Sequence, residues 1–517
     1  MPWADRIVLP VAKLPSEIPI EPDVVYCVDM RALALLICLV SALAGGADSA
    51  STRLDRFVLA FNTKDRAKIE AMVKAEFDDK MFESRNAAAW TTQTLAIASD
   101  LAPIKVLDKA LDTPTAVVAR ISGGKGERLA IRIDCSPSDP NKIVGIRIDE
   151  SADALLTGKP KDYSGYKNLS ELAKEILTDS KVPAIAVATI SNGKLDAVVA
   201  GYRKLGEKDP VTIQDRWLIG SNAKSMTAVL IAMLIEEGKL RWESTLGELL
   251  TDIPMKEAYK SVTVEQLMQH MAGLPKDMTF TGAEVNRIVG DQKDPVSIRA
   301  AYAKDLLNRE PIGKPGEKFA YSNGGYSLLG YIAERITKVP FPELIADRVF
   351  KPLGLASAKI GIPGDEGMPG GVGQPHGHFK VASGLTPGKL TGPLNHMMSP
   401  AGGGAAISIA DMARYVDWHM RGLSGEKVAL LKPETIKRLH TPLPRPDGME
   451  KYAAGWLFKE VGGAISHTHM GSDGSMMAVM SLFPKEKLVV VAVVSAGLEP
   501  PLVDLVRAVA KHEFKKD

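Results

Sequence analysis

Cysteine is scarce, with three residues in 517, at positions 27, 38 and 135. So low a count excludes a disulfide scaffold, and none of the spacings reads as a metal site. Charge of one sign is lacking too. The 64 lysines and arginines stand against 62 acids, for a formal net charge of +2, and no single-sign block occurs. A nucleic-acid partner is therefore not expected. Nor is there a long hydrophobic run: the most apolar stretch, Ala32 to Ala44, falls short of the roughly 20 residues that span a bilayer. What remains, 45% apolar and 24% charged residues, describes a globular chain with room for two or more cored domains. Small-molecule chemistry is the expectation.

The apolar stretch has a different use. Arg31 supplies a charged end, residues 32–44 a hydrophobic region, and Ala42-Leu43-Ala44 a small-x-small cleavage site, which together read as a secretion signal. The 29 residues before Met30 carry prolines and acids unlike any signal n-region, so Met30 is read as the start. Residues 1–50 are thus an extension plus a signal peptide over Met30–Ala44, and the protein is expected outside the cytoplasm, in the periplasm or beyond. Processing would remove Cys27 and Cys38 and leave Cys135 alone.

Downstream, residues 51–155 read as helices followed by strands. "TRLDRFVLAFNTKDRAKIEAMVKAEFDD" has helical periodicity, with Asn62 and Thr63 as break and cap, and "TAVVARIS", "RLAIRIDC" and "KIVGIRID" alternate as strands do. Around "FVLAFNTKDRAKI" this part resembles the nuclear transport factor 2-like family, in which helices pack on a curved sheet. The resemblance implies a cone-like accessory domain without chemistry and a surface for homodimerisation. Residues 156–168 read as a linker. Over residues 169–517, strand patterns at both ends enclose a helical middle from about 240 to 440. One antiparallel sheet flanked by helices, with a helical insertion, is the economical α+β assembly.

Serine and lysine three residues apart occur at Ser164/Lys167, Ser191/Lys194, Ser221/Lys224 and Ser424/Lys427, so the spacing alone proves nothing. Nucleophilic chemistry needs a helix that holds both side chains on one face and a helix start that lends N–H groups and positive dipole character. Only Ser221 heads a sustained helix, whose "AVLIAMLI" has no polar face. A lysine buried at its first turn is desolvated toward base character. The competing reading makes Ser221 a helix cap and Lys224 a surface residue. About 100 residues on, Tyr321-Ser322-Asn323 sets a phenol and a carboxamide before another apolar helix; as the plainer alternative, it merely caps that helix. Near the end, His469-Met470-Gly471 leads into a strand, where glycine permits close approach and the Ser472 N–H is a candidate oxyanion donor.

These three elements, in this order, resemble the penicillin-recognising serine hydrolases, specifically the class C β-lactamase-like group. "TVEQLMQHMAGLP", "VFKPLGLASAKIG" and "SPAGGGAAISIADMARYV" add to the likeness. The resemblance implies that Ser221 is the acylated nucleophile, Lys224 its activating partner and Tyr321 the base and leaving-group acid. Asn323 would orient lysine and substrate, His469 and Gly471 would line the substrate strand, and Ser221 and Ser472 would supply the oxyanion N–H groups. No cofactor or metal is implied.

One departure directs the substrate reading. His469 and Met470 stand where β-lactamases of this group carry lysine and threonine or serine. A mostly neutral imidazole and a thioether grip a carboxylate poorly. Ester or D-amino-acid amide hydrolysis therefore ranks above the D,D-carboxypeptidase and β-lactamase alternatives. The rival from another class is a catalytically silent recognition module. His376, His378 and His396 make a weak metal pattern, and their Gly/Pro-rich setting reads as a loop over the entrance. Asp473 reads as a turn former, and His467 as structural, on the sheet face away from His469.

Overall fold

The computed structural model describes residues 49–83, 86–124, 126–149, 161–275, 282–381, 384–388, 393–444 and 451–514. The segment read as a secretion signal lies outside the described residues. The chain divides into two compact units, Met1–Thr157 and Gly158–Asp517. Among the described residues no helix is long and apolar enough to cross a membrane.

In the front unit, helices α1 (Ala50–Thr63), α2 (Arg66–Glu76) and α3 (Ala87–Leu101) precede a four-stranded antiparallel sheet. Its strands follow chain order: β1 (Lys105–Asp112), β2 (Ala116–Ser122), β3 (Arg128–Cys135) and β4 (Ile143–Asp149). α1 buries Leu54, Phe57 and Phe61 at helical spacing, and Val117, Ala119, Ile121, Ile131 and Ile133 alternate inward to share that core. Lys64, in the left-handed region at φ 54°, ends α1, and Asp65 caps α2 by accepting from the Lys68 N–H at 3.0 Å. Asn62 acts elsewhere than expected. Its Oδ1 accepts from Ile104 N at 2.7 Å and its Nδ2 donates to Ile104 O at 2.8 Å, tying the helix to the start of the sheet. Strand β1 carries no clear strand pattern, because "KVLDKALD" mixes weak strand formers and lies mostly exposed at the sheet edge. Cys135 is buried, which pushes its thiol up to about 11.

The second unit begins with α4 (Leu169–Ser180), capped by Asn168, whose side chain accepts from Glu171 N. A seven-stranded antiparallel sheet follows from both ends of the unit. Two strands come early, β5 (Ala184–Ser191) and β6 (Lys194–Gly201). Between them Asn192 and Gly193 sit at φ 51° and 76°, the paired positive values of a tight hairpin turn. The five late strands are β9 (Tyr452–Ala453), β10 (Trp456–Val461), β11 (Ala464–Ser472), β12 (Met477–Phe483) and β13 (Leu488–Val494). Across the sheet the order is β9-β10-β11-β12-β13-β5-β6. Two short strands of the helical region, β7 (Trp217–Leu218) and β8 (Ala405–Ile407), pair with each other outside this sheet.

The strands alternate between two cores. Ala186, Ala188, Val489, Val491 and Val493 face the larger one. Ile185, Val187, Val490, Ala492 and Val494 face the smaller one, together with α4 and the final helix α10 (Pro500–Glu513). Tyr163 and Tyr166, from the stretch read as a linker, also pack into the smaller core, Tyr166 stacked on His512 at 4.1 Å. The helical middle covers the larger core. Its elements include α5 (Ala223–Glu236), α6 (Pro295–Leu307), α7 (Asn323–Thr337), α8 (Ile409–Leu423) and α9 (Pro433–Leu439). Helix α5 is buried from Ala223 through Leu234, and each large aliphatic side chain there removes enough apolar surface to contribute roughly 1.5–3 kcal/mol.

Candidate active site

Three backbone segments converge on Ser221, and each carries a glycine at the contact. After β7 the Ile219 N–H donates to Ala405 O at 3.0 Å. Gly220 then turns at φ 47°, and Gly220–Asn222 form a single 3-10 turn into α5. A β-carbon on Gly220 would lie 2.4 Å from Ser472 N, one on Gly471 2.0 Å from Ile219 O, and one on Gly402 2.1 Å from Gly220 O. No side chain fits any of these gaps. The end of β11 therefore lies against the serine turn, with the backbone N–H groups of Ser221 and Ser472 close together. Ser221 itself is half-buried.

One helical step on, Lys224 is fully buried. Its Nζ lies 2.9 Å from Ser221 Oγ, 2.9 Å from Ala401 O, and in a short contact with Asn323 Oδ1. As an ammonium it donates to all three. As an amine it keeps its donors on Ala401 O and Asn323 Oδ1 and turns its lone pair to the Ser221 hydroxyl proton. The surface-lysine reading is thereby excluded. Ala401 is held in turn: Thr227 Oγ1 donates to Pro400 O at 2.7 Å, and Arg299 Nη1 donates to His396 O at 2.8 Å and Ser399 Oγ at 3.1 Å. Arg299, from α6, is paired with Glu334 of α7, both buried.

Tyr321 stands just before α7 and is half-buried, with Lys224 Nζ 4.9 Å from its ring centroid. Ser322 makes no side-chain capping bond, and Asn323 opens the helix with its carboxamide on Lys224. The plainer reading of this tripeptide as a helix cap therefore fails. No local sequence signal assigns His270 a role. The residue sits at φ 56°, buried, with its ring 4.3 Å from that of Tyr321 and 4.7 Å from that of Tyr452. Its Nδ1 accepts from Ser322 N at 3.2 Å and its carbonyl from Ala320 N at 2.8 Å, so it clamps the backbone on both sides of Tyr321. Burial first, then the charge of Lys224, holds its pKa well below the usual value. The only hint in the chain was its place in "QHMAGLP"; the clamp is a tertiary contact.

His469 is 3% exposed. Its Nδ1 donates to Met470 O at 2.6 Å and its Nε2 accepts from the Tyr452 hydroxyl at 3.3 Å. Burial and the neighbouring Lys224 charge lower its pKa to about 3, so the ring is neutral. Ser472 Oγ donates to Met476 O at 2.6 Å and takes no part in the cleft. Asp473 forms the expected turn, accepting from the N–H groups of Ser475 and Met476.

His378 does not sit in a loop. His378 is fully buried in a strand, Gly377–Val381, where its Nδ1 donates to Ser495 O at 2.6 Å and its Nε2 accepts from Leu205 N at 3.0 Å. Both nitrogens serve structure. Among the described residues no group of three or more His, Cys, Asp or Glu side chains is arranged to hold a metal ion.

Comparison with known proteins agrees with this geometry. Protein flp of Staphylococcus aureus (strain N315) is 23% identical over 344 residues, which is 65% of this chain and 65% of that protein. The chain thus spans 65% of the length of that relative. Penicillin-binding protein 4 of Amycolatopsis lactamdurans is 24% identical over 350 residues, 66% of this chain and 87% of that protein. The octameric penicillin-binding protein homologue from Pyrococcus abyssi superposes with a TM-score of 0.54 at 27% identity, covering 64% of this chain and 74% of its own. The front unit lies outside the matching family model, which is described as Beta-lactamase and covers residues 169–513. Because that model takes in more than half of its length, the chain belongs to the beta-lactamase family, a group of penicillin-binding-protein-like serine hydrolases.

Proposed function

We propose that the protein is an exported hydrolase that works through an acyl-enzyme on Ser221, with neutral esters as its fastest substrates and D-amino-acid amides next. The observation that carries this reading is the 2.9 Å separation of Lys224 Nζ from Ser221 Oγ, with Ala401 O and Asn323 Oδ1 taking the remaining amine protons.

Ser221 Oγ attacks the substrate carbonyl as its proton passes to the coupled Lys224 and Tyr321 pair. The N–H groups of Ser221 and Ser472 hold the oxyanion. Collapse expels the alcohol or amine, which takes the proton back from the pair, and water then releases the acyl group by the same route in reverse. The neutral His469 ring offers no cation to a substrate carboxylate, which favours uncharged acyl groups over penicillins. Export rests on the signal-like residues Met30–Ala44, and sequencing the mature N-terminus tests it.

A fluorophosphonate probe with peptide mapping is expected to label Ser221 and nothing in S221A. A panel of p-nitrophenyl esters, D-alanyl anilides and a chromogenic cephalosporin is expected to rank esters first. Absence of an adduct on native protein would favour the silent module, and rapid cephalosporin turnover with little ester cleavage would overturn the substrate assignment.

A further inference from the structure

A second hydrogen-bonded path starts from the serine turn. Ser225 Oγ donates to Asn222 O at 2.9 Å, and the Tyr415 hydroxyl meets Ser225 Oγ at 3.0 Å. His419 Nε2 lies 3.0 Å from the Tyr415 hydroxyl, His440 Nε2 3.0 Å from His419 Nδ1, and His467 Nδ1 2.9 Å from His440 Nδ1. Tyr415 and His419 are one helical turn apart on α8, His440 ends α9, and His467 lies on β11. The sequence reading set His467 on the sheet face away from His469. The two residues are two apart on one strand and share a face, so His467 belongs with this path.

The direction of every bond follows from one backbone carbonyl. Asn222 O only accepts, so Ser225 donates to it. Tyr415 must then donate to Ser225, and His419 Nε2–H to Tyr415. That leaves His419 Nδ1 as acceptor for His440 Nε2–H, and His440 Nδ1 as acceptor for His467 Nδ1–H. A second proton on His419 or His440 would break a link. The surroundings oppose such protonation: Trp456 packs on His440 and His419 at 4.8 and 5.0 Å, and Phe458 on His467 at 4.5 Å. Burial accordingly lowers His419 to about 3 and His467 to about 4, and holds His440 well below its ordinary value.

We propose that His467, His440, His419 and Tyr415 are positioning residues: a one-way hydrogen-bonded chain that holds the Ser221 turn in register with strand β11. The strand that begins the chain at His467 carries Gly471 and Ser472 at its other end, and the turn that ends it carries Ser221. The two halves of the oxyanion site are thus joined twice, by the glycine contacts and by this chain. The inference rests on the assignment of Ser221 as nucleophile.

Two measurements test it. Long-range proton–nitrogen correlation spectra of the nitrogen-labelled full chain at pH 7 are expected to show single neutral tautomers, Nε2–H for His419 and His440 and Nδ1–H for His467. The opposite tautomer or an averaged mixture at any of the three overturns the chain, and this readout needs neither a variant nor activity. In kinetics, Tyr415→Phe and His419→Leu are expected to lower kcat about 10- to 100-fold with KM nearly unchanged, assayed well below each variant's Tm. His419→Gln, which keeps a donor and an acceptor, is expected to restore most of the loss. Full kcat in Tyr415→Phe and His419→Leu overturns the positioning role. Should Ser221 not be the nucleophile, the wild type fails to label with fluorophosphonate while the tautomers stand; labelled Ser221 with wild-type kcat in the variants instead isolates failure of this inference.

Discussion

Gly471 lies so close to Ser221 that a β-carbon on it would come within 2.7 Å of the Ser221 backbone nitrogen. Gly471→Ala must therefore push β11 away from the serine turn and separate the N–H groups of Ser221 and Ser472. Loss of one oxyanion donor costs about 10²- to 10³-fold in kcat. That fall is expected here, with KM changing little and the fold intact by circular dichroism. Wild-type kcat in Gly471→Ala would remove the Ser472 N–H from the mechanism.

Arg299 and Glu334 are 0% and 2% exposed and hold the segment that presents Ala401 O to Lys224. Arg299→Met leaves Glu334 buried without its cation, a loss of about 3–5 kcal/mol. A matching drop in denaturant midpoint is expected, and Arg299→Met/Glu334→Leu should recover part of it. A single variant as stable as wild type would contradict this account.

His270 clamps Tyr321 through Ser322 N and Ala320 N from a left-handed backbone conformation. His270→Asn keeps a side-chain acceptor and tolerates positive φ, whereas His270→Leu does neither. The leucine variant should lose about 10²-fold in kcat through misplacement of the phenol, and asparagine distinctly less. Equal losses in the two would show that ring packing alone matters.

Buried and half-buried histidines make the fold acid-sensitive. Burial lowers His419 and His469 to about 3 and His467 to about 4, and sets His270 and His440 well below 6.5. In the unfolded chain these groups titrate near 6.5. Their contribution is complete above that pH and is lost as pH falls toward 4, because only the unfolded state then binds the protons. Calorimetry from pH 7.5 to 4 should show Tm declining from about pH 6.5, before carboxylates titrate; a flat Tm down to pH 5 would contradict it.

Local signals made much of this molecule readable. The two helices on either side of Asn62 and Thr63, the strands over "TAVVARIS" and "RLAIRIDC", and the apolar helix after Ser221 each depend on neighbours in the chain, and each formed as their chemistry dictates. Strand β1 escaped because an exposed edge strand carries little of the alternation that marks a half-buried one. His270, His419, His440 and His467 escaped for another reason: a lone histidine has no periodicity, and its hydrogen-bond partners lie on other elements.

The chain's own order of residues determined which side chains were available for chemistry: a serine and a lysine one helical step apart, a phenol before a second helix, and glycines where backbones must touch. Tertiary structure alone decided what surrounds them. Ala401 O and Asn323 Oδ1 reach Lys224 from 177 and 99 residues away, and the histidine chain joins β11 to α8, α9 and the serine turn. Contacts of such separation arise only when the sheet closes from both ends of the unit, since hydrogen bonds between distant elements have no signature in local sequence.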